Sequence, residues 1–448
     1  MVAPAWTHQA EALEFIADKP GSMLAMDMGT GKSRVIVDLI AQKGYKKILI
    51  LAPLSVVGNV WPGEFRKHAP GLLHALALAN KPIKTRQEAA RKALQTGQPT
   101  AVVMNYDAVW RRPFADWAMR QDWDLLVMDE SHRIKAPGGV ASRYCSRLSD
   151  RVGHRVALTG TPMAHSPMDI YAQYRALDKS IYGTSFTRFR SRYAVMGGYN
   201  RMQVVGYQRE TELRDKFYSR AYRVESDDVL DLPSTLSINL MCQLGKQGRR
   251  LYTEMAEEFV ADVEGGQITA SNALSRLLRL QQITSGYGRL EDGADVEIDT
   301  SKARVLEDTL EDIGREPVVV FTRFIHDLDV VHRIAAKVGV PSYEVSGRRK
   351  DLAEWTEGVL AVQIQAGGLG LDLTLARYAI YYSLGFSLGD YSQSMARLHR
   401  PGQTHPVEYI HIVAEGTVDE TVMEALANRE AVVEHILQQA KRRERDTV

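Results

Sequence analysis

LAMDMGTGKSRVIVDLI, Leu24 to Ile40, is the stretch that decides how the chain reads. It opens with an apolar run, Met23 to Met26, suited to a buried strand. It then passes through Gly29 and Gly31 to Lys32 and Ser33, and continues with apolar residues at Val35, Ile36, Leu39 and Ile40, the spacing of one helical face. A strand feeding a glycine turn at a helix N-terminus aims several backbone N–H groups at one point, where the helix dipole also favours negative charge. Glycine at 29 and 31 lets the backbone close in without a Cβ. In such a loop Lys32 pairs with the β and γ phosphates of a nucleotide, and the Ser33 hydroxyl holds Mg²⁺. The strict phosphate-loop pattern also asks for glycine at position 26, where this chain has Met26. Taken alone, the stretch fits an ordinary glycine turn as well.

Working outward, the next informative segment is WDLLVMDESH, Trp123 to His132. Its apolar residues make a buried strand, and Asp129-Glu130 fall at the strand's C-terminal end, where ligands bind in an open α/β sheet. An acidic residue there can hold Mg²⁺ through a water, and its neighbour can orient or deprotonate an attacking water. Asp129 is assigned to the metal and Glu130 to the base. A surface acidic turn is the plain alternative, but a strand ending in Asp-Glu downstream of GTGKS is a much less common combination.

The chain has 448 residues, 45% hydrophobic and 25% charged, as in an ordinary globular protein, and its length predicts two or three domains. A net charge of +1 gives no global basic field, so any nucleic-acid contact has to come from local groups. The two cysteines, Cys145 and Cys242, lie far apart, which excludes a disulfide framework and fits a reducing compartment. The N-terminal stretch lacks a signal-peptide pattern, and the longest apolar run, Ile48 to Val57, is too short to span a bilayer. A cytoplasmic, nucleoid-associated protein of a bacterium or a virus-infected cell is expected, with no membrane contact.

Short apolar runs alternate with helical segments through the first half. Candidate strands are Ile48–Ala52, Ala101–Met104, Leu125–Met128 and Val156–Leu158, a rhythm that predicts a mostly parallel sheet covered by helices. From about 166 to 222 the pattern turns helical, aromatic and arginine-rich. ESDDVLDLP, Glu225 to Pro233, reads as a linker outside any element. After a helical stretch at 246–286 a second α/β series follows, with strands expected at Val318–Phe321, Val340–Val345, Val359–Ile364, Ala379–Tyr382 and Val407–Ile412, but no second GK[ST]. The predicted domains are 1–233 and 234–448. From Thr417 the tail reads as one long helix ending in KRRER, Lys441 to Arg445, which fits a solvated helix end or a DNA contact.

GTGKS, DESH, ALTGTP (Ala157–Pro162), QAGGLGLDLT (Gln365–Thr374) and QSMARLHRPGQ (Gln393–Gln403) occur in the order of the helicase superfamily II motifs. In detail the chain resembles the Swi/Snf-type ATPases, through LAPLSVVGNVWPGEFRKH (Leu51–His68), SHRIK (Ser131–Lys135), GGLGLDLT and RLHRPGQ. The likeness runs from about Trp6 to Thr421. It departs from the family at Met26 and Asp27, where two acidic residues are usual, at Ser131 in place of a small residue of the acidic box, and at Asp372 in place of Asn. None of these removes a phosphate or metal ligand; they bear on nucleotide affinity and on the coupling of hydrolysis to movement.

The resemblance implies an α/β fold of two RecA-like lobes, with mostly parallel sheets flanked by helices and small helical insertions. It implies ATP and Mg²⁺, and a DNA-stimulated ATPase that translocates on duplex or branched DNA without sequence preference, expected as a monomer. ATP contacts are implied for Gln9, Met28, Gly29, Thr30, Gly31, Lys32, Ser33, Arg34, Gly370 and Asp372. Trp6, His8 and Gln9 are similar to the family's adenine-binding segment; an amide offers a base edge both a donor and an acceptor, and capping of the first helix by Gln9 stays open. His132, Thr159, Thr161 and Gln393 are implied to couple nucleotide state to movement. Arg397 and Arg400, three apart, would share one helical face and supply positive charge to the γ-phosphate. DNA contacts are implied at Pro53, Leu54, Ser55, Asn105, Tyr106, Thr322, Arg323, Gln365 and Ala366, mostly groups that track phosphates rather than read sequence. Arg188, Arg190 and Arg192 fit an electrostatic lip and a charged helix surface equally. Two other functions stay open: a strand-separating helicase on DNA or RNA, which needs a wedge element, and a nucleotide-gated DNA clamp with negligible turnover.

Overall fold

The computed structural model describes residues 4–58, 60–164, 166–197, 203–264, 270–289, 295–364 and 371–438. The chain divides into two compact units, Met1–Asp231 together with Ala431–Val448, and Leu232–Glu430.

Seven strands form the sheet of the first unit: β1 (Gly21–Met26), β2 (Lys47–Ala52), β3 (His74–Leu78), β4 (Thr100–Asn105), β5 (Leu125–Asp129), β6 (His154–Thr159) and β7 (Ala221–Val224). Their order is β3-β4-β2-β5-β6-β1-β7, and every pairing is parallel. Parallel neighbours need crossover connections, so helices cover both faces and the strands read as continuous apolar runs. Successive side chains point to opposite faces. Leu24, Met26, Ile48 and Ile50 pack with Val35, Ile36, Leu39 and Ile40 of helix Lys32–Lys43. Met23, Ala25, Leu49 and Leu51 pack on the other side with Tyr171, Tyr174 and Leu177.

The second unit repeats the plan with β8 (Thr235–Cys242), β9 (Val318–Thr322), β10 (Ser342–Val345), β11 (Val359–Gln363), β12 (Tyr378–Tyr381) and β13 (Val407–Ala414). The order is β8-β13-β12-β9-β11-β10, again wholly parallel. Val318, Val320 and Val359 enter one apolar cluster, and Val319, Phe321 and Leu360 enter the other. The two-sheet α/β architecture expected from the apolar rhythm is therefore what the chain forms.

Two segments differ from the sequence reading and a third, 246–286, is helical as expected. The region 166–222 is not only helical: Ala194–Gly197 and Gln203–Tyr207 pair as an antiparallel hairpin, and β7 returns to the sheet edge beside β1. Its helices pack through rings as well as aliphatic residues, with Phe189 against Tyr171, Tyr182 and Tyr193, and Tyr182 against Tyr193. Within the linker, Ser226–Val229 forms one helical turn. The region 246–286 holds helices Lys246–Glu264 and Ala270–Thr284. The last described helix is Val418–Gln438, and Lys441 to Arg445 lie outside the described residues. Of the arginines weighed as a lip, Arg192 is bidentate to Glu212 at 2.9 and 2.7 Å, and that pairing holds the Glu212 carboxyl at about 2. Arg188 and Arg190 stay exposed. Among the described residues no helix is long and apolar enough to cross a membrane.

Candidate functional site

Strand β6 lies between β1 and β5, with Thr159 in register with Ala25 and Leu158 in register with Asp129. Three adjacent strands therefore bring the glycine loop, the acidic pair and the Thr159–Thr161 turn to one edge of the sheet. That is the C-terminal edge, where an open parallel sheet takes its ligands. Gly29 and Gly31 have φ of 81° and 86°, in the left-handed region. A Cβ on Gly31 would also lie 2.1 Å from the amide nitrogen of Gln9, so glycine is required there twice over. Lys32 Nζ donates to the carbonyls of Met26 at 2.7 Å and Asp27 at 3.0 Å, which folds the ammonium over the loop.

Gln9 and His8, both buried, fix the loop from the outside. Gln9 Nε2 donates to the Thr30 carbonyl at 3.1 Å, and His8 Nε2 lies 2.8 Å from the same oxygen. Gln9 Oε1 accepts the Trp6 N–H at 3.0 Å, so the capping role left open by the sequence is realised, together with a brace on the loop. Thr30 is itself buried and donates its hydroxyl to the Asp27 carbonyl at 2.7 Å. Ser33 stands in the first turn of helix Lys32–Lys43, and Arg34 pairs with Asp38 at 2.8 Å. Met28 lies between the strand end and the loop, half-buried.

The Asp129 carboxylate accepts the Trp61 indole N–H at 2.9 Å and the Glu130 N–H at 3.0 Å. Burial, and then the Glu130 charge, push the Asp129 carboxyl well above the usual carboxylate range; the Trp61 bond and Lys32 oppose that. Glu130 has φ of 49°, a left-handed conformation uncommon outside glycine and typical of functional turns. His132 Nδ1 is 3.4 Å from Glu130 Oε2. Thr161 donates its N–H to Thr159 Oγ1 at 3.1 Å, while its own hydroxyl oxygen is buried with no hydrogen-bond partner.

This arrangement can take a polyphosphate. The ammonium, the loop amides and an orphaned hydroxyl supply donors, and a carboxylate buried against its ordinary preference calls for a cation. Among the described residues no group of three or more His, Cys, Asp or Glu could hold a metal ion unaided. A divalent cation here would take Ser33 Oγ and Asp129 and complete its oxygen shell from phosphate and water.

The remaining sequence-assigned residues are placed as follows. Pro53 and Leu54 follow β2, and Asn105 ends the neighbouring β4, opposite Ala52 in register. Leu54 is 48% exposed, but Asn105 and Tyr106 are buried. Asn105 Oδ1 accepts from Arg86 at 2.9 Å, and the Tyr106 hydroxyl donates to the Asp129 carbonyl at 2.8 Å. The Tyr106 hydroxyl thereby braces the acidic turn, and the Asn105 side chain is held by Arg86. The Ser55 side chain, and Gln365, Ala366 and Gly370, lie outside the described residues.

In the second unit Thr322 ends β9, fully buried, its hydroxyl without a hydrogen-bond partner. Arg323 donates its N–H to Ser383 Oγ at 2.8 Å and its guanidinium to Gln281. Asp372 is exposed, and its Oδ1 accepts the Thr374 N–H at 3.2 Å and hydroxyl at 2.8 Å. Gln393 and Arg397 lie four apart on helix Leu388–Leu398. Arg400 does not share that helix. The chain leaves the helical region at His399, and Pro401 disfavours helical backbone at Arg400. Arg400 Nη1 lies 3.4 Å from the Leu371 carbonyl, and its Nε is buried without a partner.

Sequence reasoning missed two residues that touch this site: Trp61, on Asp129, and Gln173, which accepts from Ser131 at 2.7 Å. An indole on the short polar helix Val60–His68 was the available signal for Trp61; Gln173 carried none.

Comparison with known proteins adds an independent line. Protein p41 of Acyrthosiphon pisum secondary endosymbiont phage 1 is 25% identical, with 97% of this chain and 98% of that one covered. An uncharacterized ATP-dependent helicase of Mycoplasma pneumoniae is 23% identical over 96% of this chain and 42% of its own length. The chain spans less than half the length of this and two further bacterial relatives. A solved structure, the Sulfolobus solfataricus SWI2/SNF2 ATPase core in complex with dsDNA, is 22% identical with a TM-score of 0.46, covering 98% of this chain and 94% of that one. The Helicase conserved C-terminal domain model matches residues 301–402. The SNF2-related domain model matches residues 8–287, which takes in the glycine loop, the acidic pair and the Thr159–Thr161 turn as well as the first sheet, and the chain belongs to that family.

Proposed function

We propose that the chain is an ATP-hydrolysing motor that moves along duplex or branched DNA. The observation that carries this reading is the single sheet edge where Lys32, Asp129, Glu130 and Thr161 converge. Lys32 leaves the Met26 and Asp27 carbonyls and turns to the β and γ phosphates, while the loop amides bind their oxygens. Ser33 and Asp129 would hold a magnesium ion, which supplies charge neutralisation at the β and γ oxygens. Glu130 takes a proton from the attacking water as its oxygen bonds to the γ-phosphorus and the bond to ADP breaks. Arg397 and Arg400 stabilise the transition-state charge. Thr159 and Thr161 pass the state of the nucleotide onward, with His132 beside Glu130 and Gln393 on the arginine-bearing helix. Pro53, Leu54, Ser55, Asn105, Tyr106, Thr322, Arg323, Gln365 and Ala366 contact the DNA, chiefly through backbone and hydroxyl groups on phosphates.

The helicase-domain match supports nucleic acid as the track, and the test is turnover with no nucleic acid, single-stranded DNA, duplex, forked DNA and RNA, together with displacement of a triplex strand. Stimulation by duplex or forked DNA with triplex displacement is expected; turnover indifferent to every DNA overturns the reading. Strand separation has one observation in its favour. Among the described residues the hairpin Ala194–Gly197/Gln203–Tyr207 exposes Val195, Val204 and Val205, an apolar surface of the sort a strand-separating element needs. Unwinding of the forked duplex in the same panel would establish it.

Arg400→Ala is expected to bind nucleotide as the wild type does and to lose about 10³-fold in kcat, the low end for a transition-state arginine. Unchanged kcat in steady-state turnover removes Arg400 from that role.

A further inference from the structure

Gln173, wholly buried on helix Ile170–Leu177, is used at both ends of its amide. Its Oε1 accepts the Ser131 hydroxyl at 2.7 Å. Its Nε2 donates to the Pro162 carbonyl at 2.7 Å and to the Asp169 carbonyl at 3.0 Å. Both amide hydrogens and one acceptor site are thereby engaged. Ser131, also fully buried, follows Glu130 directly, and Pro162 follows Thr161 directly. One rigid planar group thus spans from the residue beside the candidate base to the residue beside the candidate relay. Neither turn can shift against the other without leaving a buried polar atom unsatisfied. Glu130 has further restraint on its other side, where its N–H is held by the Asp129 carboxylate at 3.0 Å. Alanine and leucine at 131 and 173 would fill similar space with no directional bond.

We infer that Gln173 is a positioning residue: through Ser131 it sets the stance of Glu130 according to the placement of the Thr159–Pro162 turn. The inference rests on the reading of Glu130 as the base. It is tested with the full chain in Ser131→Ala and in the double variant Ser131→Ala/Gln173→Leu, which removes both partners of the buried bond. Both variants are expected to bind a fluorescent ADP analogue with wild-type Kd and to keep KM for ATP. Their kcat should fall between about 10-fold and 10²-fold, as when a reacting group is displaced by a fraction of an ångström to an ångström. Ser131→Thr, which retains the hydroxyl, should restore most of kcat. Amide exchange supplies a second readout. In the wild type, ADP should alter protection at 130–134 and 160–163 together, and in the double variant at one turn without the other.

If the double variant does not fold, Ser131→Ala alone decides, since it deletes one hydroxyl. A folded variant with wild-type kcat and jointly protected turns overturns the inference. A parallel Glu130→Gln protein separates the two levels. If it is inert while the double variant turns over normally, only the tether fails; if it hydrolyses ATP at the wild-type rate, the assignment of the base fails first.

Discussion

Lys32→Ala is expected to abolish nucleotide binding, and with it all turnover, without unfolding the chain. The ammonium is the one side-chain cation that the glycine loop folds over itself, 2.7 and 3.0 Å from the Met26 and Asp27 carbonyls at the end of β1. Truncation leaves those two carbonyls to water at a half-buried position, a small loss beside the packing of Val35, Ile36, Leu39 and Ile40 behind it. What disappears is the charge that meets the β and γ phosphates. The most direct measurement is thermal unfolding with and without ATP analogue. A ligand at 100 times its Kd stabilises the folded state by about 2.7 kcal/mol, and the variant should lose that whole increment while keeping the midpoint of the ligand-free protein. Lys32→Arg is not expected to rescue, since a planar guanidinium does not reproduce a compact ammonium. A nucleotide-dependent midpoint shift of wild-type size in Lys32→Ala would remove the loop from ATP binding.

The same contrast between local pattern and tertiary contact explains what the sequence disclosed. Nine of the ten expected strands are central and were legible because both faces of a parallel sheet are covered, which leaves largely apolar runs; the tenth, Ser342–Val345, is an edge. The strands that escaped notice are edges or near-edges with mixed residues. His74–Leu78 carries only alanine and leucine after its histidine, Ala221–Val224 has four residues, and Thr235–Cys242 alternates apolar with polar side chains on a largely open strand. At the site, the loop and the acidic pair were legible because backbone geometry itself demands glycine at 31 and because Asp129-Glu130 ends an apolar run. The supports were not. Tyr106 looked like a loop-end hydrogen-bond donor, and only the fold shows its hydroxyl under the Asp129 carbonyl. Arg397 and Arg400 looked helical by spacing, and Pro401 overrode the spacing. Asp27 looked like a departure from a pattern. In the structure its carboxylate accepts the Ser226 N–H at 3.0 Å, tying the phosphate loop to the segment that leaves the first sheet, and burial raises its pKa. Contacts across 199 positions leave no local signature.

Glu130→Gln is expected to separate binding from chemistry. The amide is nearly isosteric, so the left-handed turn at φ of 49° and the Glu130 N–H to Asp129 Oδ1 bond at 3.0 Å survive. An amide cannot accept the proton of the attacking water, and loss of a positioned general base costs about 10²- to 10⁴-fold. The substitution also removes a negative charge beside Asp129. Since that charge is the second cause, after burial, of the raised Asp129 carboxyl, its removal lets Asp129 ionise more readily at neutral pH. Binding of ATP with magnesium should therefore be retained or tightened while kcat collapses, a divergence that general damage to the turn would not produce. Single-turnover release of the γ-phosphate after loading ATP measures the chemical step directly, and Kd for a fluorescent analogue measures binding in the same preparation. Weakened binding together with slow release would make Glu130 a structural support of the turn. Release at the wild-type rate would move the base elsewhere on the same edge, where His132, at 3.4 Å from Glu130, is the nearest titratable candidate on this turn.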